Sequence, residues 1–189
     1  AIPAVLEIES GDTVEIDTVS GGFNDVADPS HMRPAHRLIA EQVPQIMGPH
    51  ILTGLIAVKG AMPGDTLEVR ILDIELTEDW GWNVIRPLKG TLPEDFPNLS
   101  RRVIPIDRQA QVARLAWGAD IPLQPFFGIM GVAPPPSYGR VSSIEPREYG
   151  GNIDNKELTP GSSLFLPVFV PGAHFSVGDG HAVQGDGEV

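Results

Sequence analysis

The chain has 189 residues, 41% of them apolar and 20% charged, with a formal net charge of −12 and no cysteine. That length buries a sizeable core in about one domain, while the negative charge argues against binding nucleic acid or an anionic membrane. The missing thiol excludes disulfides, thiolate metal ligands and a cysteine nucleophile, and the 21 glycines and 19 prolines argue for a β-rich fold with many loops.

Taken in order, the chain opens on Ala1-Ile2-Pro3, which has no signal-peptide organisation, although the absent initiator Met leaves room for a removed segment. No apolar run reaches the ~20 residues of a membrane span, so a cytoplasmic protein is expected. Residues 5–8 and 13–18 read as strands around the turn Ser10-Gly11-Asp12, with only imperfect alternation of Val14, Ile16 and Val19 in the second. Residues 34–47 read as the best helix: Leu38, Ile39, Val43 and Ile46 fall near helical spacing and Gly48-Pro49 stops it. Pro44 shortens or kinks it, and His31 and His36 at its start read as surface residues.

Residues 52–58 and 66–74 read as a pair of strands. In the second, Leu67, Val69 and Ile71 alternate with Glu68 and Arg70, the mark of one wet face. His50, just before the first, has two readings: a histidine at a strand end is most often only hydrogen-bonded, but this one sits inside the motif Gly48-Pro49-His50. Trp80 and Trp82 flank Gly81, one expected in the core and the other on a pocket wall. Residues 84–125 read as a meander of loop and strand without a motif that carries chemistry. Residues 126–132 read as a buried strand, ended by Pro134-Pro135-Pro136, which cannot donate to a ladder and aims the next loop. Gly150-Gly151-Asn152 has two readings. It lets backbone amides approach a small ligand, with Asn152 and Asp154 adding polar groups, or it is a glycine turn capped by Asn.

The last thirty residues concentrate the chemistry. A strand over 163–170 is bounded by Pro-Gly on both sides; beyond it lie glycines at 178, 180, 185 and 187, with Asp179, His181, Gln184, Asp186 and Glu188 among them. This reads as a tight, irregular segment. If extended, Asp179 and His181 share one face and Gln184, Asp186 and Glu188 another. Such carboxylates beside an imidazole must be solvated, paired or bound to a cation. Gly-Asp-Gly is equally common in solvated turns, and neither the EF-hand spacing nor the Gly-Gly-x-Gly-x-Asp repeat is present.

Several motifs occur in a recognisable order: Gly48-Pro49-His50-Ile51-Leu52-Thr53-Gly54, Asp79-Trp80-Gly81-Trp82, Phe127-Gly128-Ile129-Met130-Gly131-Val132-Ala133-Pro134, Gly150-Gly151-Asn152-Ile153-Asp154-Asn155-Lys156-Glu157-Leu158, Gly161-Ser162, Leu166-Pro167-Val168, Gly178-Asp179-Gly180-His181 and Gln184-Gly185-Asp186-Gly187-Glu188-Val189. Over most of its length the chain resembles the acetamidase/formamidase family of amide hydrolases. Tyr149 stands where that family usually has His, His174 where it usually has an apolar residue, and the chain ends at Val189 where members continue. The resemblance implies an all-β fold, a β-sandwich of jelly-roll character with one or two short helices. It is expected to be a single domain over residues 1–189 whose C-terminal continuation is missing.

The implied activity is hydrolysis of small linear amides such as formamide and acetamide to ammonia and carboxylate. With no cysteine and no Gly-x-Ser-x-Gly elbow, water activated by a carboxylate or a metal is the economical route. Gly161-Ser162-Ser163 leads straight into an apolar strand and lacks the glycines of the serine amidases. Glu188 is assigned as general base or acid, and Asp179 and His181 as catalytic groups that ligate a divalent ion or hydrogen-bond in its place. Asp25, placed where the family carries polar residues facing its site, is the third candidate ligand, with Asp28 as an alternative. Asn152, Asp154, Gly151 and Trp80 are the candidate substrate contacts. The expected cofactor is a divalent metal, zinc favoured. The expected partners are a small amide and further copies of the chain, or the missing C-terminal part. A non-catalytic β-sandwich that binds a cation or small ligand, or one subunit of a larger assembly, is the alternative.

Overall fold

The structure is a computed structural model and describes residues 2–19, 28–45 and 47–188. Strand β1 (Leu6–Ile8) precedes helix α1 (Pro34–Gln42), and ten strands follow. They are β2 (Leu52–Val58), β3 (Thr66–Arg70), β4 (Trp80–Ile85), β5 (Ser100–Asp107), β6 (Val112–Arg114), β7 (Asp120–Pro122), β8 (Phe126–Gly131), β9 (Gly150–Asn152), β10 (Ser163–Pro167) and β11 (Phe175–His181). The all-β expectation holds, with α1 the one α-helix among the described residues.

The strands form three sheets. The largest has the order β1-β2-β11-β8-β9, parallel between β1 and β2 and antiparallel elsewhere. β10 pairs with β3, and β4-β5-β6-β7 make an antiparallel meander. The hydrophobic core lies between the first two. Leu166 on β10, with half-buried Leu164, Leu67 and Val69, meets Ile56, Met130, Phe175 and Val177 from the larger sheet. Phe165, Glu68 and Arg70 point the other way, as a period of two requires. β8 is central, and Phe126, at 0% exposure, and Ile129, at 2%, anchor it.

Several sequence expectations need correcting. The helix stops at Gln42 because Pro44 disfavours the helical region for the residue before it, and Val43 is extended at φ −111°. His36 is buried, not on the surface. Residues 13–18 form no strand; Ile16 packs on the core, but no ladder partner for them lies among the described residues. β2 and β3 do not pair, because β2 is already flanked by β1 and β11 and the backbone groups of β3 go to β10. The irregular C-terminal segment begins later than expected, since β11 runs regularly paired with β8 as far as His181. Among the described residues, no helix is long and apolar enough to cross a membrane.

Candidate active site

The site forms where β11, β8 and the loop after β9 meet. In the antiparallel ladder, Gly178 pairs with Ile129 and Gly180 with Phe127, so Asp179 falls opposite Gly128. Asp179 departs from extended geometry at φ 56°, a left-handed conformation that Asp tolerates better than most residues. Asp154 arrives from the other side. It also has φ 50°, and its N–H donates to the Gly128 carbonyl at 3.1 Å. His181 pairs with Phe126 across the ladder and stacks on its ring, with centroids 4.7 Å apart and planes at 23°. A fully buried phenylalanine thus fixes the imidazole plane.

These three side chains converge. His181 Nε2 lies 3.4 Å from Asp179 Oδ2 and 3.6 Å from Asp154 Oδ1. The first is a long hydrogen bond and the second lies beyond hydrogen-bond range. They match the ~3.3–3.6 Å edge of a tetrahedron built on metal–ligand bonds of ~2.0–2.2 Å. Gly128 leaves room between them: a Cβ there would stand 2.6 Å from Asp154 Oδ1, 2.7 Å from Asp179 Oδ2 and 2.9 Å from His181 Nε2. Asp154 Oδ1 is buried and accepts no hydrogen bond. One imidazole and two carboxylates around a space free of side chain, with one oxygen left without a donor, fit a divalent cation.

The electrostatics agree. Burial raises the Asp154 carboxyl to about 6, helped by the negative charges of Glu188 and Asp179 and by a hydrogen bond with Glu188, against the opposing pull of His181. Burial also works against ionising Asp179, but the hydrogen bond and charge of His181, with that of His50, overcome it and hold that carboxyl below its usual range. For His181, burial opposes protonation, and the hydrogen bond and charge of Asp179, then Asp154 and Glu188, raise its pKa. Each member thus owes its state to the others, the condition that a bound cation relieves.

A cleft of about 1340 Å³ opens over this cluster and reaches Asp179, His181, Gln184 and Glu188 on one side and Trp80 and Trp82 on the other. Both tryptophans are half-buried wall residues, so neither takes the core role expected of one of them. β5, in the stretch read as carrying no chemistry, joins β4 in the far wall. Glu188 lies exposed at the rim, at φ 62°. Asp186, expected on the same face as Glu188, points into solvent, 94% exposed, and pairs with Lys156 at 2.6 Å.

Asn152 and Gly151 sit in β9, paired with Ile129 and Met130, and do not line the cleft. Asp25 lies outside the described residues, and Asp28 lies outside the cluster. Among the described residues the second carboxylate is Asp154, expected only as a substrate contact.

Sequence reading missed three contributors. His50 Nε2 approaches Asp179 Oδ2 at 3.8 Å, while its Nδ1 contacts Ser143 Oγ at 2.8 Å. Gln184 Nε2 donates to the Asp154 carbonyl at 2.8 Å. Gly128 supplies the space. All three lie inside the ordered motifs of the sequence, but what each of them faces is visible only in the structure.

The family model described as Acetamidase/Formamidase family matches residues 1–140 and 137–189. The chain belongs to that family. It is similar to a formamidase of Methylophilus methylotrophus, at 26% identity over 100% of this chain and 57% of the relative, and to an acetamidase of Mycolicibacterium smegmatis, at 30% over 74% of this chain and 49% of the relative. Among solved structures, the acetamidase of Bacillus halodurans superposes with a TM-score of 0.80 and 33% identity, over 100% of this chain and 59% of that one. The chain therefore spans between about half and three-fifths of the length of these relatives.

Proposed function

We propose that the protein hydrolyses the C–N bond of small linear amides, formamide and acetamide among them, to ammonia and carboxylate. The observation that carries this is the convergence of Asp154, Asp179 and His181 over side-chain-free Gly128 beneath an open cleft. The names of the related proteins support the class of reaction.

Asp154, Asp179 and His181 would hold a divalent cation. Zinc suits this donor set, with manganese the next choice. Such an ion, when bound, polarises an amide carbonyl as a Lewis acid. The remaining work falls to the chain. Glu188 takes a proton from the attacking water as the water oxygen bonds to the carbonyl carbon. That proton passes to the amide nitrogen as the C–N bond breaks, so amide and water give carboxylic acid and ammonia. Phe126 keeps His181 from rotating, and Gln184 holds the backbone of Asp154.

The test is ammonia release from formamide and acetamide by the purified protein, before and after chelation and after adding back zinc or manganese. Turnover lost on chelation and restored by metal is the expected result. A protein that binds the ion but releases no ammonia from either amide would overturn the catalytic reading in favour of a cation-binding β-sandwich.

A further inference from the structure

Strand β3 bonds to β10 with only half of its backbone. Residues of an antiparallel pair turn their N–H and C=O groups alternately toward the partner strand and away from it. Val168 N–H donates to the Asp65 carbonyl and Ile71 N–H to the Ser162 carbonyl, which sets the phase: Asp65, Leu67, Val69 and Ile71 face β10. Pro167 agrees, since a residue without an N–H fits opposite Thr66 only in a non-hydrogen-bonded pair. The backbone groups of Thr66, Glu68 and Arg70 therefore look outward, along the edge of a two-stranded sheet where no strand among the described residues meets them. All three residues are exposed. Such an edge is a template for another strand, and proteins blunt it with proline, a bulge or charge. The opposite edge of this sheet has Pro167. β3 has no proline and no break in register, and its charges, Glu68 and Arg70, are of opposite sign and can match as well as repel.

We infer that this edge binds a second copy of the chain, β3 against β3, antiparallel about a two-fold axis at Val69. Outward-facing residues can bond only outward-facing residues, so a central axis passes through Glu68, Val69 or Arg70. Through Glu68 it sets that carboxylate against itself, and through Arg70 it sets that guanidinium against itself; like charges directly opposite are destabilising. Through Val69 it sets Glu68 of each copy opposite Arg70 of the other, twice, in pairs that exchange about four backbone hydrogen bonds. Within each copy Arg70 already holds the Glu68 carboxylate through two bonds of 2.9 Å, so the four side chains close into one network of balanced charge. An axis perpendicular to the sheet keeps half-buried Leu67 and Val69 of both copies on the core-facing side. The result is a four-stranded sheet, β10-β3-β3-β10, that ends on the proline-blunted edge at both sides and so closes as a dimer. None of these residues lines the cleft, and the inference stands apart from the amide-hydrolase reading.

Sedimentation equilibrium of the parent, of Glu68→Arg, of Arg70→Glu and of the double change tests the interface. The parent should reach twice the mass of the chain in a concentration-dependent way. Each single change puts like charges opposite one another at both pairs and should raise the dissociation constant by about 10- to 100-fold. An equimolar mixture of the two single variants restores every opposite pair, and so does the double change; both should associate within about 3-fold of the parent. A parent that stays monomeric, as it would if other chain covered this edge, overturns the inference. So does a single variant within about 3-fold of the parent, or a mixture that associates no better than its components.

A second measurement reads the register. The chain has no cysteine, so an introduced thiol can form a disulfide only between copies. The two Val69 residues meet in a non-hydrogen-bonded pair with Cα atoms about 4.5 Å apart, within disulfide reach. The two Thr66 residues lie about 20 Å apart along the strands. Air oxidation with a copper catalyst should therefore cross-link Val69→Cys into a reducible dimer and leave Thr66→Cys as single chains. Equal cross-linking of both variants, or none of Val69→Cys, would refute the two-fold at Val69.

Discussion

Replacing Gly128 with alanine adds one methyl group to the point where three candidate ligand atoms meet. Gly128 is not in the left-handed region, so its backbone accepts alanine and the perturbation is purely one of space. Ordinary contact with a Cβ begins near 3.4 Å, so Asp154 Oδ1 must retreat by about 0.8 Å, Asp179 Oδ2 by about 0.7 Å and His181 Nε2 by about 0.5 Å. None can do so freely. Asp154 is tied to Gly128 through its own N–H, Asp179 lies within the β11 ladder and His181 is stacked on buried Phe126. Metal–ligand distances tolerate about 0.2 Å, well below these displacements. Affinity for zinc or manganese should therefore fall by about 10²-fold or more, while the chelated protein loses only the ~1–3 kcal/mol typical of one added methyl in a packed region. Isothermal titration calorimetry gives the affinity, and chemical denaturation in chelator gives the stability. Metal affinity within about 3-fold of the parent would show that Asp154, Asp179 and His181 do not hold the ion over Gly128.

Glu188→Gln keeps shape but removes the basic carboxylate, and turnover of formamide should fall by about 10²- to 10⁴-fold with metal content unchanged. Asp186→Asn should leave it within about 3-fold, because that solvated carboxylate has only a surface ion pair to lose; equal losses from both changes would deny Glu188 a specific role. Phe126→Ala should cost about 3–5 kcal/mol in urea denaturation and lower metal affinity through the released His181 ring, and a loss below about 1 kcal/mol would contradict its anchoring position. In chelated protein the raised Asp154 pKa means the folded state holds that proton more tightly than the unfolded chain. Its contribution is therefore full below pH ~4 and lost as pH rises through about 6, a change on the order of 3 kcal/mol. The side-chain carboxyl resonance of Asp154 should titrate near 6 without metal and markedly lower with it; a midpoint near 4 in the chelated protein would refute its burial among like charges.

Much of the framework follows from local sequence. Alternation in residues 66–70 predicted the wet and dry faces of β3, and the apolar run from Phe126 predicted a buried β8. These succeed because pleat and turn chemistry act over a few residues. Asp179 and His181 were legible as a pair for the same reason, being two apart on one strand. What sequence could not determine was distance across the fold. Asp154 joins them from 25 residues upstream of Asp179 because β9 pairs with β8 in a register that no local pattern specifies. His50 reaches Asp179 only because β2 neighbours β11, and Gly128 matters for an atom it lacks. Asp186 and Glu188 show the converse. Alternation placed them together, but beyond β11 no ladder enforces a period of two, and an ion pair with Lys156 draws Asp186 into solvent while Glu188 stays beside Asp154. Residue chemistry named the kinds of group this site uses; strand order and register decided which of them meet.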